Sequence, residues 1–289
     1  MIDTEGTGVG ITGGTGSERL RAEGVSLGYG DAPIVDRLDL AVPDGSFTVI
    51  VGANGSGKST LLRGLARLIE PSAGEVLLDD RRIHDYASKE VARRLGLLPQ
   101  TQTAPDAIGV ADLVARGRYP HQSILRQWSP ADAAAVARAL ELTDTADLAD
   151  RAFDELSGGQ RQRVWLAMSL AQQTDILLLD EPTTFLDIAH QIDVLDLCAR
   201  LRLESGYTLV AVLHDLNLAA RYATHLVAMK DGAIVAQGDP LAIITPDLVE
   251  EVFGLACTVI PDPESGTPLV VPRRSPHHGI RPREGDTPQ

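Results

Sequence analysis

A glycine-rich segment of the sequence, GANGSGKST, has the residue types that a phosphate-binding loop needs. It follows the spacing G-x-x-x-x-G-K-[ST]. Glycines let the backbone approach a phosphate chain, the Lys58 ammonium neutralises phosphate charge, and the Ser59 hydroxyl is a magnesium ligand. A glycine-rich turn with a solvated lysine is the alternative. The chain has lysine only at positions 58, 89 and 230, so composition alone does not explain a lysine at this position of the loop. The residues predicted to bind phosphate here are Gly52, Asn54, Gly55, Ser56, Gly57, Lys58, Ser59 and Thr60.

Two adjacent acids, Asp180 and Glu181, end the apolar segment ILLLDEP. The apolar run predicts a buried strand, and α/β sheets bind ligands at the carboxyl ends of their strands. Asp180 would hold a magnesium ion directly or through water, and Glu181 would orient or deprotonate an attacking water. Such a pair also occurs as a solvated turn, but the phosphate-binding loop upstream favours the chemical interpretation.

A second pattern that could bind an anion is LSGGQRQR. Ser157 and two glycines precede a run typical of a helix, and a helix start offers unpaired N–H groups to an anion. His214 ends another apolar run, TLVAVLH, at the same predicted sheet edge. Its imidazole could reach a terminal phosphate, although a histidine at a strand end is commonly just a surface residue.

The elements that must position these residues follow an α/β pattern. Continuous apolar runs at 47–52, 176–180 and 208–214 predict buried parallel strands, and a helix is expected through 59–69. The segment HLVAMKDGAIVAQG predicts a hairpin around Asp231 and Gly232. Antiparallel strands are expected near the N-terminus, in LRAEGVSLGYG and DRLDLAVPDGS.

Residues from about 105 to 165 differ in composition from the rest of the chain and predict a helical insertion. The stretch SPADAAAVARALEL is rich in alanine, with Ser129 placed to cap a helix and Pro130 at its first position. Residues 1–18 and 273–289 are rich in small, polar or proline residues, and we expect flexible tails there.

Composition restricts the class of protein. A formal charge of −14 argues against a broad nucleic-acid interface. Cys198 and Cys257 are the two cysteines, which is too few for a disulfide framework and suits a reducing cytosol. No apolar run approaches the roughly 20 residues of a membrane span, and residues 1–18 lack the features of a secretory signal.

The order of these motifs resembles the nucleotide-binding subunit of an ABC transporter. The sequence carries GANGSGKST, LLPQ, LSGGQRQR, ILLLDEP, TTFLD and VLHD in that order, and the resemblance covers about residues 20–272. It implies a P-loop NTPase core with a mostly parallel sheet, an N-terminal antiparallel β-subdomain and an inserted α-helical subdomain, over an ATPase domain of residues 19–272. It also implies ATP and Mg²⁺ as ligands.

The same resemblance implies further roles. Tyr29 would stack on adenine, Gln100 would sense Mg²⁺ and the attacking water, Asp187 would communicate across a dimer, and His214 would contact the γ-phosphate. In this family two copies face each other head to tail, so one copy's signature segment completes the ATP site of the other. The signature residues expected to act in this way are Ser157, Gly158, Gly159 and Gln160.

Other segments are similar to ATPase subunits that import ferric siderophores, ferric dicitrate, haem or cobalamin. They span residues 117–132, 183–197, 214–240 and 245–272. The resemblance implies a peripheral subunit at the cytoplasmic face of the membrane, bound to a separate permease and served indirectly by a substrate-binding protein. A ferric siderophore is the first expectation, with haem and cobalamin open, while an exporter ATPase or a soluble ABC protein of ribosomes or DNA fits less well. The Tyr119 to Trp128 segment is expected either to face the permease or to pack the insertion.

Overall fold

The computed structural model describes residues 18–30, 32–123 and 128–273. The strands in these residues are β1 (Leu20–Leu27), β2 (Val35–Val42), β3 (Phe47–Gly52), β4 (Ala73–Leu78), β5 (Arg81–Arg82), β6 (Leu95–Leu98), β7 (Ile176–Asp180), β8 (Thr208–Val212), β9 (His225–Lys230), β10 (Ala233–Gly238), β11 (Cys257–Pro261) and β12 (Pro268–Pro272). The α-helices are α1 (Lys58–Leu65), α2 (Ser88–Val91), α3 (Val110–Ala115), α4 (Pro130–Leu142), α5 (Gly158–Ala171), α6 (Ile188–Ser205), α7 (Leu216–Tyr222), α8 (Pro240–Ile243) and α9 (Pro246–Phe253).

A six-stranded sheet forms the centre of the fold, in the order β10-β9-β3-β8-β7-β6. All neighbouring strands in it are parallel except β10, which pairs antiparallel with β9. Successive side chains of β3 enter opposite cores: Phe47, Val49 and Val51 join one core cluster and Ile50 joins the other. Burial on both faces explains why β3, β7 and β8 are continuous apolar runs, as the sequence predicted.

The N-terminal antiparallel subdomain is confirmed, but it is larger than the sequence suggested. Strands β1 and β2 pair antiparallel, and β4 and β5, which follow α1 in the chain, complete the sheet order β2-β1-β4-β5. The core between this sheet and the central sheet also holds the buried leucines of α1. The antiparallel sheet therefore packs on the same face of the central sheet as α1.

The predicted hairpin and helical insertion are also present. Asp231 and Gly232 have φ angles of 49° and 81°, the left-handed pair that a tight two-residue hairpin turn requires. Ser129 caps α4 in a reciprocal capping box with Asp132, and Pro130 is the first helical residue. Helices α3, α4 and α5 form the insertion, although α5 continues past residue 165 to Ala171.

Two element boundaries differ from the sequence prediction. Helix α1 ends at Leu65 rather than near residue 69, because Arg67 adopts a left-handed φ of 63° and its N–H bonds back to Gly64. Strand β8 ends at Val212, so His214 lies in the turn after the strand and not at its last position.

Apart from Glu18 and Arg273, the predicted flexible tails lie outside the described residues. Among the described helices, none has both the length and the apolar character needed to span a membrane.

Candidate functional site

The loop between β3 and α1 has the backbone shape that its glycines were predicted to allow. Gly57, the N-cap of α1, has a φ of 95°, and no side chain caps this helix. The first N–H groups of α1 are therefore left to a ligand. At Gly52 an added methyl group would overlap the Met229 carbonyl and lie 2.7 Å from Ser56 Oγ, so packing also demands glycine there.

Lys58 is held inside this loop. Its Nζ donates to Gly52 O at 2.8 Å and to Ala53 O at 2.9 Å, and the residue is only 6% exposed. Burial lowers the pKa of Lys58, and the charge of Glu181 partly opposes that effect. An ammonium has three donors, so one remains to bind a phosphate oxygen.

A cavity of about 330 Å³ opens beside the loop. Its lining combines residues of the loop and the start of α1, residues that follow β7 and β8, and one residue that precedes β2. These are Asn54, Gly55, Gly57, Lys58, Ser59, Thr60, Glu181, His214 and Ile34. Ile34 was not identified from the sequence. It lies just before β2 beside the buried Val35 and reads as an ordinary start of a strand, and only the packing of the antiparallel sheet against the loop brings it to the cavity.

Glu181 is the residue on which three side chains converge. Its Oε1 lies 2.7 Å from His214 Nε2, and its Oε2 accepts from Gln100 Nε2 at 2.8 Å and from Thr184 Oγ1 at 2.9 Å. The sheet order explains the meeting, because β7 lies between β6 and β8 and the three strands end at one edge. Thr184 was missed as a site residue, although its place three residues after Glu181 in a turn is a local signal.

Asp180 is buried behind Glu181 and is 2% exposed. Burial raises its pKa, while a hydrogen bond from Ser59 and the Arg63 guanidinium act in the opposite direction. Its Oδ1 has no hydrogen-bond partner, and its Oδ2 lies 3.6 Å from Arg63 Nε. A carboxylate oxygen left unpaired beside a serine hydroxyl fits Mg²⁺, which typically takes one or two carboxylates together with substrate phosphates.

Tyr29 lies on the outer side of this group. It is 64% exposed, and its hydroxyl accepts from Arg63 Nη1 at 3.0 Å. Arg63 thus contacts both Tyr29 and Asp180, a link that the sequence did not reveal because Arg63 reads as an ordinary polar position of α1. The exposed ring of Tyr29 is available for stacking.

The signature residues lie elsewhere. Among the described residues, the cavity lining includes neither Ser157, Gly158, Gly159 and Gln160 nor Asp187. Ser157 caps α5: its Oγ accepts from the N–H of Gln160, whose Oε1 accepts from the N–H of Ser157. Asp187 caps α6 through the N–H of His190. One copy of the chain therefore contains two separated groups of predicted site residues.

Residues 35–184, about half of the chain, match the family described as ABC transporter. The chain is also 58% identical over 254 residues to the ferric enterobactin transport ATP-binding protein FepC of Escherichia coli (strain K12), covering 88% of this chain and 94% of that protein. The chain belongs to the ABC transporter family.

Other relatives within the ABC family are named for related cargoes. The chain is 56% identical to the probable siderophore transport system ATP-binding protein YusV of Bacillus subtilis (strain 168), over 89% of this chain and 94% of that protein. It is 42% identical to the hemin import ATP-binding protein HmuV of Rhodococcus jostii (strain RHA1), over 90% and 88%. The resemblance to importer ATPases seen in the sequence is confirmed.

Solved ABC structures agree with the fold. A metal-chelate type ABC transporter in an inward-facing conformation matches with a TM-score of 0.77 and 28% identity, over 89% of this chain and 98% of that one. The dimeric structure of MJ0796, a bacterial ABC transporter cassette, matches with a TM-score of 0.66 and 26% identity, over 76% and 98%. The predicted fold class, a mostly parallel core with an antiparallel subdomain and a helical insertion, is confirmed.

Proposed function

We propose that this chain is the ATP-hydrolysing subunit of an importer that moves a ferric siderophore through a separate membrane permease. The observation that carries the proposal is the convergence of Gln100 and His214 on Glu181 at the mouth of the phosphate-binding cavity. This group has a positioned base, an ammonium and free helix N–H groups, which are the parts that phosphoryl transfer needs.

Each residue of the group has a distinct task in hydrolysis. The N–H groups of the loop and Lys58 Nζ bind the phosphates of ATP, and the Tyr29 ring stacks on adenine. Asp180 and Ser59 would hold Mg²⁺, with Gln100 reaching the site through its bond to Glu181; when bound, the ion would supply neutralisation of phosphate charge. Glu181 orients water and accepts its proton at a carboxylate oxygen as the water attacks the γ-phosphate, giving ADP and phosphate. His214 Nε2, which lies 2.7 Å from Glu181 Oε1, would donate to the γ-phosphate once ATP is bound.

A second copy of the chain would complete the site. Ser157 Oγ accepts a hydrogen bond within α5, so its O–H remains free to donate to a phosphate of the facing copy. Phe185 and Ile188, on either side of Asp187, are 99% and 80% exposed. Large apolar side chains exposed together are typical of an interaction surface. ATP held between two copies would favour the closed dimer, and hydrolysis would release it.

The cargo follows from the relatives. The two relatives named above for ferric enterobactin and for siderophore transport are 58% and 56% identical to this chain over the aligned residues, and the relative named for hemin is 42% identical. We therefore favour a ferric siderophore over haem or cobalamin. The subunit would lie at the cytoplasmic face of the membrane against its permease, which a substrate-binding protein supplies. A soluble role on ribosomes or DNA is disfavoured by the −14 charge.

The first experiment tests the catalytic group. Glu181→Gln keeps the hydrogen-bonding shape but removes the base, so ATP should still bind and should hold a stable dimer on gel filtration, while turnover falls about 10²-fold or more. The exposed Glu251→Gln on α9 is the matched control. Normal turnover of the Glu181 variant with only monomer present would contradict the assigned role.

The second experiment tests the role of the signature turn in a partner's site. Ser157→Arg should abolish transport and ATP-dependent dimerisation but leave the affinity of a single copy for ATP unchanged, because the cavity lies on another part of the chain. Ser205→Arg, at the exposed end of α6, is the control. Loss of ATP binding by the isolated Ser157 variant would rule out action across a dimer.

The cargo is tested by growth. A strain lacking this chain should fail to grow on one or more ferric siderophores as the only iron source, and the wild-type chain, but not Glu181→Gln, should restore growth. A defect limited to haem or cobalamin would select the alternative importers. Normal growth on every ferric chelate would overturn the iron-uptake proposal.

A further inference from the structure

Helices α5 and α6 begin beside each other, and one imidazole ring fills the space between their first turns. The ring of His190, in the first turn of α6, lies directly against Gly159 of the signature turn. A methyl group at Gly159 would overlap Cδ2 of this ring and would lie 2.7 Å from Cγ and 2.8 Å from Nε2. Gly159 is buried, so its lack of a side chain is what makes room for the ring.

The other edge of the ring bonds Asp187. His190 Nδ1 lies 2.6 Å from Asp187 Oδ1, and the same carboxylate oxygen accepts the backbone N–H of His190 at 2.9 Å. These bonds hold the pKa of Asp187 below its ordinary value. The ring therefore contacts two segments that are about thirty residues apart in the chain.

We propose that His190 is a positioning residue that joins the signature turn to the Asp187 loop, so that both meet the second copy as one rigid unit. The proposal rests on the proposed function, in which that copy completes the ATP site. Without the ring, the starts of α5 and α6 would be free to shift relative to each other. Dimer closure would then have to order two loops instead of one, and ordering costs affinity.

The position of His190 argues against a direct catalytic role. It is absent from the described lining of the cavity that holds Lys58 and Glu181, and its side chain is 37% exposed. A positioning role predicts an effect on closure of the dimer but not on binding of ATP to one copy. These two quantities can be measured separately.

Two substitutions separate the two contacts of the ring. His190→Phe keeps the ring against Gly159 and removes the bond to Asp187, and His190→Asn keeps a short polar side chain near Asp187 and removes the ring. Both are made in the Glu181→Gln background, in which slow hydrolysis leaves the ATP-bound dimer intact. The dimer dissociation constant at saturating ATP is measured by analytical ultracentrifugation, and ATP affinity is measured by titration of dilute, monomeric protein.

We expect each variant to weaken the ATP-bound dimer about tenfold, with single-copy ATP affinity unchanged within about twofold. Asp187→Ser, which keeps a helix cap but removes the carboxylate, should not add to His190→Phe, because both break the same bond. Independent effects would multiply to about a hundredfold. His84→Phe, in the turn after β5, is the control for a histidine-to-phenylalanine change and should not alter dimerisation.

The outcomes are distinguishable. If the Glu181→Gln parent forms no ATP-dependent dimer, the proposed function fails. If the parent forms the dimer but both His190 variants have the same dimer dissociation constant as the parent, the positioning role is wrong while the function stands. The same holds if the effects of His190→Phe and Asp187→Ser on that constant multiply. An equal loss of single-copy ATP affinity would likewise overturn it, since that would indicate general damage to the fold.

Discussion

The chain has two helix starts with the composition of phosphate sites, and they are built in opposite ways. Helix α1 begins at Gly57 in a left-handed conformation without a side-chain cap, and its first turn is largely buried, with Lys58 at 6% and Thr60 at 7% exposure. Helix α5 begins at the exposed Ser157 and closes its own capping box with Gln160. The first helix start has no side-chain cap and leaves its N–H groups to a ligand, whereas the second satisfies one helix N–H group through its own cap.

The difference indicates what each helix start can do in a single copy. Around α1 the chain supplies a cavity, a base and a candidate metal-binding carboxylate. Around α5 it supplies a helix cap and a packing contact with the start of α6. These contacts stabilise the turn, but they do not enclose a ligand. Changes at α1 should therefore affect chemistry within one copy, and changes at α5 should affect the association of two copies.

The largest effect is expected at Lys58. Lys58→Met keeps the length of the side chain but removes the ammonium that we propose binds phosphate, so ATP turnover should fall about 10³-fold, in the range seen when a key charge stabiliser is lost. Steady-state kinetics and a nucleotide titration measure the change, with the exposed Lys230→Met as control. Turnover within tenfold of wild type would show that the α1 site is not the catalytic one.

The next largest effect is expected at Asp180, where substitution should change turnover and stability in opposite directions. Asp180→Asn should reduce turnover about 10²-fold by removing a carboxylate from the candidate Mg²⁺ site, yet raise the unfolding temperature at neutral pH. Burial raises the pKa of Asp180, so the folded chain is penalised when this group is charged, and the neutral amide avoids that penalty.

The pH dependence of that gain gives a further check. Below the unfolded pKa of about 4, Asp180 is protonated in both states and the penalty is absent. It grows as pH rises through that value toward the raised folded pKa. Thermal unfolding of both proteins should therefore show a gain at pH 7 that shrinks as pH falls toward 4. A variant less stable than wild type at pH 7 would contradict this account.

A smaller effect is expected at the start of α5. Ser157→Ala removes a helix cap and should lower the free energy of unfolding by about 1 kcal/mol. ATP affinity of a single copy should stay unchanged, while the ATP-bound dimer weakens. Chemical denaturation and titration of monomeric protein measure the two quantities. Weaker ATP binding in the monomer would contradict the inference that the start of α5 acts only on the nucleotide of a second copy.

The smallest effect on the single copy is expected at Phe185. Its side chain is 99% exposed, so Phe185→Ala loses no packing within the chain and the free energy of unfolding should change by less than about 0.5 kcal/mol. The ATP-bound dimer should nevertheless dissociate more readily in ultracentrifugation. Unchanged dimer stability would show that this apolar surface is not part of the contact between copies.

Local features of the fold could be predicted because neighbouring residues decide them. The cap at Ser129 and the Asp231–Gly232 turn need only a few adjacent residues of the right type. Strands β4, β5, β6, β11 and β12 were not predicted. Strands β4 and β6 pair with β1 and β7, which are distant in sequence, and β5 has only two residues. Strands β11 and β12 pair with each other locally, and the sequence analysis did not identify them. The roles assigned to Tyr29, Gln100 and Asp187 came from family resemblance and remain predictions.

The sequence by itself determined the phosphate-binding loop, the acidic strand end and the signature turn, since each is a contiguous pattern with its own chemistry. Only the tertiary structure decided that Gln100 and His214 bond the same carboxylate, because the order β6-β7-β8 brings together residues about eighty and thirty positions from Glu181. The placement of His190 between Gly159 and Asp187 was decided in the same way. Such contacts depend on how strands and helices pack, and no spacing along the chain encodes them.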